Sequence, residues 1–341
     1  MKYYLSITIL LMLSVASNTY AQKKPAGGGQ KKAVVSESKY FNFQSDPLLN
    51  AHLFLYNKAM TCKFKKTPND SLVFVSFKDK AKGINVRELS VLNSVLAFYR
   101  DSLLSKDLLF DSIMRDFSDK LVSGNNAMIK YQVKMLEAVS TFAPYFTKLF
   151  WAEIESANKA WLKSNLPQIV SLENQIVPEL EKIYQTKLPE GKIRVDLVDY
   201  ATWAGAYSFN DKFCHVVFST SHRSNQGELA PEVIFHEASH FMVDKLSEMI
   251  AKEAKGKDIK TSINLWHNMI FYTAGYVMEK ELAKAGKKFV PFYEQMKFAD
   301  KFSDFKYSVE ACKQFWDPYC EGKLGMEEAV KQIVSYMLQK K

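Results

Sequence analysis

Apolar side chains recur every three or four positions along most of the chain between residues 46 and 185. "RELSVLNSVLAFYRDSLLSKDLLFDSIMRDF" and "NAMIKYQVKMLEAVSTFAPYFTKLFWAEIESANKAWL" both keep this spacing, which is typical of amphipathic helices. Their aromatic residues are therefore expected to form core rather than a cofactor site. One stretch here, "SLVFVSFKD", instead predicts a single short strand.

The pattern changes after "KLPEGK" at residues 187–192. "IRVDLVDY" and "FCHVVFSTS" predict two strands, and "ATWAGAYSFNDK" between them predicts a turn region. "HRSNQGELA" predicts a loop, after which Pro231 suits the first turn of a helix. A second helix is expected from about Ile263 to Lys284, and the C-terminal stretch ends in one more amphipathic helix.

These elements predict an α+β fold that is predominantly α-helical. A helical N-terminal region at residues 41–188 precedes a region at 189–341, in which a small sheet comes before the helix that contains Pro231. About 300 residues, nearly half of them apolar in a chain that is 47% hydrophobic, suit one large domain or two closely packed ones.

The first 21 residues have the layout of a cleaved signal peptide: Lys2, an apolar run, then small residues ending at Ala21. An N-terminal membrane anchor is the alternative, but the run is short for a span. Cys62 is the first cysteine, which argues against a lipid anchor. Residues 22–40, rich in Gly and Lys, predict a flexible linker. We therefore expect a periplasmic or secreted protein, with no stable membrane span after cleavage.

The net charge of +9 changes this picture little, because much of the excess lies in the N-terminal linker and at the extreme C-terminus. No basic stripe is interleaved with aromatic residues, so nucleic acid is not an expected partner. Export would permit disulfides, and among the four cysteines Cys312 and Cys320 form the one close pair. Four buried thiols are the alternative, and no CxxC metal spacing occurs.

The segment "PEVIFHEASHFMVD" contains the main chemical signal of the chain. His236 and His240 are four residues apart, so on a helix both imidazoles lie on one face and can bind one metal ion. Glu237 is turned aside from them and can act as a general base. The alternative is a helix with two ordinary histidines, but the apolar residues around them predict burial, which would be costly without partners.

A catalytic zinc site needs a third protein ligand as well as an open position. On the second helix, at about 100° per residue, His267 lies at the centre of the apolar face, close to Phe271 and Ala274. Glu279 falls off this face, and Glu281 lies roughly 20 Å further along the helix axis. His267 is therefore the predicted third ligand, with Glu279 in reserve. A core histidine bonded to backbone is the alternative for residue 267.

The motif and the order of elements around it resemble the zincin metallopeptidases, in the gluzincin-like (peptidase MA) arrangement of a small sheet, an HExxH helix and a ligand-bearing helix. The resemblance covers about residues 193–284. "WAGAYS", "NQG", "HEASH" and "LWHNMIFYTAG" are also similar to a group of uncharacterised exported bacterial proteins with the same motif order.

This resemblance implies that His236 and His240 are zinc ligands and that Glu237 is the base. The chain departs from the gluzincin pattern at the third ligand, where a glutamate is usual and His267 is better placed here. The metzincin pattern HExxHxxGxxH does not fit, because Val243 stands where its glycine belongs.

The function predicted is therefore an exported zinc-dependent hydrolase, most specifically a metallopeptidase acting on a peptide or protein substrate. Zinc would activate water and polarise the peptide carbonyl, and Glu237 would take the proton of that water and pass it to the leaving amine. For the donor to the oxyanion, Tyr272 is the first choice, and Tyr276 and Arg223 are further candidates.

Further side chains have two interpretations each. Asp244 would either orient a ligand imidazole or be a solvated charge. His215 and His222 are expected to be polar groups of a strand and a loop rather than ligands. The strand "CHVVFST" is expected at the cleft edge, where it would pair with an extended substrate backbone.

Two other functions remain open from the sequence. One is an exported zinc-binding module that recognises peptides without cutting them, although such a pseudo-peptidase would not need Glu237. The other is a helical interaction scaffold attached to a vestigial hydrolase region.

Overall fold

The computed structural model describes residues 36–124, 127–256 and 262–340, all within one compact unit. The predicted signal peptide (residues 1–21) and residues 22–35 of the predicted linker lie outside the described residues. The linker prediction is wrong for residues 36–40, because Ser36 and Glu37 form the first strand of the sheet and the Ser38 hydroxyl donates to Glu173. Across the described ranges, no helix combines the length and apolarity needed to cross a bilayer.

A mixed five-stranded sheet forms the centre of the fold. Its strands are β1 (Ser36–Glu37), β2 (Phe41–Gln44), β3 (Ile193–Val198), β4 (Ala206–Phe209) and β5 (His215–Ser219). The order is β1-β2-β3-β5-β4, with β2, β3 and β5 parallel and the two outer strands antiparallel to their neighbours. The predictions of β3 and β5 are confirmed. The prediction of a turn region over residues 201–212 is wrong in part, because β4 lies within it.

Six α-helices occur among the described residues between β2 and β3, which confirms the predicted helical character of this segment. They are α1 (Pro47–Phe64), α2 (Leu72–Phe77), α3 (Val86–Phe98), α4 (Ser112–Ser123), α5 (Lys130–Phe146) and α6 (Ala152–Tyr184). Asp46 starts α1, since its carboxylate accepts hydrogen bonds from the backbone of Leu48 and Leu49.

The predicted strand "SLVFVSFKD" is helix α2 instead. Its buried residues are Leu72, Val73, Ser76 and Phe77, which is helical rather than alternating spacing. Cys62 of α1 contacts the carbonyl of Leu72 and the hydroxyl of Ser76. Packing on α1 thus outweighs the strand preference of the Val and Phe residues.

The remaining helices follow β5. They are α7 (Leu229–Ser239), α8 (Asp244–Ala254), α9 (Ser262–Lys284), α10 (Phe292–Gln295), α11 (Phe298–Lys301), α12 (Ser303–Ala311), α13 (Asp317–Cys320) and α14 (Met326–Gln339). Helices α7, α9 and α14 confirm the three helices predicted for this region. The fold is therefore α+β and mostly helical, as expected.

The two faces of the sheet belong to two hydrophobic cores. Val216 and Phe218 of β5 point into the core that contains α7, α9 and most of α6. Val217 between them points into the core formed by α1–α5. The alternation of a β-strand thus connects the N-terminal helices with the helix that contains the HExxH motif.

Candidate metal centre

Helix α7 places the motif inside the protein. Each of its residues is buried, and it packs against α6, α9 and β4. The loop before it is fixed by Asn225, whose amide donates to the carbonyls of Gly205 in the β3–β4 loop and Ser219 in β5. Trp161 of α6 donates to the carbonyl of Asn225. The helix ends at His240, which remains partly exposed.

Three histidines converge between α7 and α9. One ring nitrogen from each of His236, His240 and His267 lies within 4.8 Å of the other two. The ring centroids are 5.1 Å apart for His236 and His240, 5.4 Å for His236 and His267, and 5.2 Å for His240 and His267. His236 is 4% exposed, whereas the other two are partly exposed. The group is therefore buried on one side and accessible on the other.

Burial keeps all three imidazoles neutral near neutral pH. It lowers the pKa of His240 to about 3 and that of His267 to about 4. The pKa of His236 is also well below its usual range, because burial and the two neighbouring histidines disfavour its charged form. The neutral imidazole is the form that binds a metal ion.

The residues fit a divalent metal ion. Nδ1 of His236 is buried without a hydrogen-bond partner among the described residues, an unusual and costly state for a polar atom. Three neutral imidazoles are a donor set that suits zinc and leaves a fourth position open. Glu279, the reserve ligand, is exposed and is not part of the cluster, and Glu281 pairs with Lys284.

Glu237 follows His236 on α7, and its side chain is held by Ser208 of β4. The hydroxyl of Ser208 donates to Oε2 of Glu237 and lies 3.1 Å from its backbone carbonyl oxygen. Glu237 is 5% exposed, and this burial raises its pKa to about 7 although the Ser208 hydrogen bond opposes the shift. A carboxyl group with a pKa near neutrality is suited to taking and returning a proton. No pattern in the sequence singles out Ser208.

A second buried carboxyl group lies one helical turn before His236. Glu232 accepts a hydrogen bond from the backbone N–H of Phe292 at 2.7 Å, and burial raises its pKa to about 8. Gly275 of α9 makes room for it, since a Cβ at that position would be 2.9 Å from Oε1 of Glu232 and 2.6 Å from Cβ of Pro291. Glu232 therefore connects α7 with α10, and Gly275 allows α9 to approach both closely.

The structure does not support the role predicted for Tyr272. It lies about 140° around α9 from His267, and its hydroxyl donates to Asp317 at 2.8 Å. Its ring packs against Tyr276 and Tyr293. Burial and the Asp317 carboxylate hold the pKa of Tyr272 well above its usual range. Tyr272 is thus bonded within the α9–α13 contact.

Three more polar residues near the motif have clear positions in the structure. Tyr276 stacks on Tyr272, and Arg223 is an exposed residue of the loop before α7. Asp244 is exposed at the start of α8, because the helix breaks after His240 instead of continuing to residue 244. Of the two interpretations of Asp244, the solvated charge fits this position.

His215 and His222 lie outside the cluster of His236, His240 and His267, in keeping with the roles expected for them. His215 is buried between Asp119 and Asp196, each 2.9 Å from a ring nitrogen. Burial acts to lower the pKa of His215, but these two carboxylates outweigh it and the net shift is upward. His222 contacts Ser224 in the loop before α7.

The predicted position of β5 at the cleft edge is wrong. β5 lies between β3 and β4, and β4 is the edge strand. The four cysteines are free thiols, so Cys312 and Cys320 are not joined here.

Family models, curated proteins and solved structures were each compared with the chain, and none of the three gave a match. The function proposed below therefore rests on the residues themselves.

Proposed function

We propose that this protein is an exported zinc-dependent hydrolase, and specifically a metallopeptidase of the HExxH type. The observation that supports this most is the convergence of His236 and His240 of the motif with His267 of α9. Glu237 follows His236 directly on α7. The three-histidine ligand set would be a departure from the gluzincin pattern in a zincin-like region.

Each residue has a separate task in this proposal. The imidazoles of His236, His240 and His267 would hold the ion, which when bound supplies a Lewis acid that acidifies water and polarises a carbonyl group. Glu237 removes a proton from the attacking water and delivers it to the leaving amine nitrogen. Ser208 keeps the Glu237 carboxyl group in one orientation, so that little rotational freedom is lost in the reaction.

The position of β4 at the edge of the sheet favours a peptide as the substrate. This strand pairs with β5 on one side, and no strand of the described residues pairs with its other side. An edge strand offers backbone N–H and C=O groups to an extended peptide, which gives recognition with little demand on sequence. Because Ser208 of this strand contacts Glu237, a peptide paired with β4 would lie beside the base.

Digestion of a peptide library tests the proposal. The zinc-loaded protein should cleave peptides, a chelator should stop cleavage, and Glu237→Gln should abolish it while leaving the zinc content unchanged. Glu279→Gln, at an exposed position of α9, is the matched control and should cleave normally. Zinc binding without cleavage would instead indicate the peptide-recognition module, and full activity of Glu237→Gln would refute the role of Glu237 as the base.

A further inference from the structure

Aromatic side chains border the three histidines on the α9 side of the site. Trp266 lies 5.6 Å from His240 and 5.3 Å from His267, measured between ring centroids. Phe271 stacks on His236 at 3.8 Å and lies 4.9 Å from His267. The predicted ligands are therefore in direct contact with an indole ring and a phenyl ring.

The row of rings continues away from the histidines to the surface. Phe298 lies 5.5 Å from Phe271, and Phe302 lies 6.0 Å from Phe298. We call Trp266, Phe271, Phe298 and Phe302 the aromatic wall. Trp266, Phe271 and Phe298 are partly exposed, and Phe302 is 57% exposed. Phe271, Phe298 and Phe302 form a continuous row, and Trp266 is linked to it through His267. Isolated exposed apolar residues are common, but a group of such rings next to a polar centre is typical of a binding surface.

Buried rings support the aromatic wall from behind. Phe292 stacks on Phe271 at 5.7 Å, and Phe305 meets Phe298 edge-on at 5.2 Å. Phe292 also donates its backbone N–H to Glu232 of α7. The wall is thus anchored to the same helix that presents His236, so its position relative to the histidines is fixed by packing.

The two sides of the site differ in chemistry. On the β4 side, Ser208 and the strand edge present polar groups. On the α9 side, the aromatic wall presents apolar surface that favours another ring by offset or edge-to-face contact. From this difference, we propose that the site selects substrates with an aromatic side chain next to the bond that is cleaved, and that this side chain packs on the aromatic wall. This inference rests on the proposed metallopeptidase function.

Two small hydroxamates can test the inference without a known substrate. Phenylalanine hydroxamate and glycine hydroxamate share a zinc-binding group and differ by a benzyl side chain. Titration calorimetry of each into the zinc-loaded protein should show phenylalanine hydroxamate binding about tenfold tighter or more, as expected for burial of a phenyl ring. Equal affinity for the two compounds would overturn the inference.

Variants of the aromatic wall test whether its rings cause the preference for phenylalanine hydroxamate. Phe298→Ala should reduce the preference for phenylalanine hydroxamate several-fold while leaving the affinity for glycine hydroxamate unchanged. Phe302→Ser should have a smaller effect, because Phe302 lies one ring further from the histidines than Phe298. Phe302 is exposed enough that its replacement should not affect folding. Phe64→Ser is the matched control, because Phe64 is 82% exposed at the end of α1, and it should keep the full preference. A preference that survives both wall variants would overturn the inference.

The same titrations separate this inference from the proposed function. Discrimination between the hydroxamates without peptide cleavage would support the aromatic site and contradict the peptidase. Cleavage of peptides with no preference for aromatic residues would support the peptidase and contradict the aromatic site. A protein that binds no zinc would contradict both. If Phe302→Ser converts a dimer to a monomer in sedimentation, the wall is covered by a second copy of the chain and the inference fails.

Discussion

Replacing Glu232 by glutamine is expected to remove a pH-dependent cost to the stability of the protein. The carboxyl group is buried between α7, α9 and α10 and accepts a hydrogen bond from the backbone N–H of Phe292. Glutamine has nearly the same shape, and its carbonyl oxygen can accept that hydrogen bond. The change therefore removes the titration and keeps the contact.

The magnitude follows from the pKa of Glu232, which burial raises from 4.5 to about 8. A carboxyl group with a raised pKa binds its proton more tightly in the folded state, so its contribution to stability is complete below pH 4.5 and is lost as the pH rises to 8. At about 1.4 kcal/mol per pKa unit, the loss is about 3 kcal/mol at pH 7 and about 5 kcal/mol above pH 8. Burying the second polar atom of the glutamine side chain costs about 1–3 kcal/mol at every pH.

Urea denaturation at pH 5, 7 and 8.5, with a chelator to exclude metal binding, measures this difference. Relative to the unaltered protein, Glu232→Gln should gain several kcal/mol of unfolding free energy between pH 5 and pH 8.5. The buried histidines titrate equally in both proteins and cancel. Glu279→Gln, an exposed change of the same chemistry, should leave the unfolding free energy unchanged at each pH. If the difference between Glu232→Gln and the unaltered protein is constant with pH, Glu232 is not held in the protonated state and the reasoning is wrong.

Three further predictions concern the site and its packing. His267→Ala should weaken zinc binding, measured by chelator competition, by more than roughly 100-fold. Loss of a residue that only hydrogen-bonds to a ligand typically costs about 10- to 100-fold, and loss of a ligand should cost more. Glu279→Ala should bind zinc normally. Ser208→Ala should lower kcat for the best peptide substrate about tenfold with little change in KM, and Ser208→Thr, which keeps the hydroxyl, should recover part of the loss. An equal loss in both Ser208 variants would contradict the orienting role. Gly275→Ala should lower the unfolding free energy, measured by urea denaturation, by about 1–3 kcal/mol, because the new methyl group meets Pro291 and Glu232.

Much of the candidate centre could be predicted from helical geometry. The spacing of His236 and His240 and the position of His267 on its helix are periodic signals, and the structure brings these three residues together. Long helices such as α6 and α9 are periodic for the same reason. What periodicity cannot show is which element lies next to which, since contacts such as Ser208 with Glu237 join residues with no relation in sequence.

The failures have physical causes of the same kind. β4 has four residues within a segment containing Gly and Asn, so its turn signals are stronger than its alternation. Its pairing with β5 also places the sheet edge away from the predicted strand. The helix predicted around Tyr272 is correct, and five residues along it turn Tyr272 about 140° from His267. That Asp317 lies opposite the Tyr272 hydroxyl could only be learned from the structure. Glu232 gives no periodic signal of its burial, since a carboxyl group at a helix start is ordinarily exposed.

The alternation along β4 has a consequence for how the chain can be divided. Tyr207 and Phe209 insert among α1–α5, while Ser208 between them touches Glu237, so a slip of one residue in this strand would exchange the two sets of side chains. Helices α1–α5 therefore hold the strand in the register that places Ser208 against Glu237. A fragment beginning at residue 189 would also lack β2, leaving β3 as a bare edge prone to intermolecular pairing, and we expect it to aggregate instead of folding as a smaller protein.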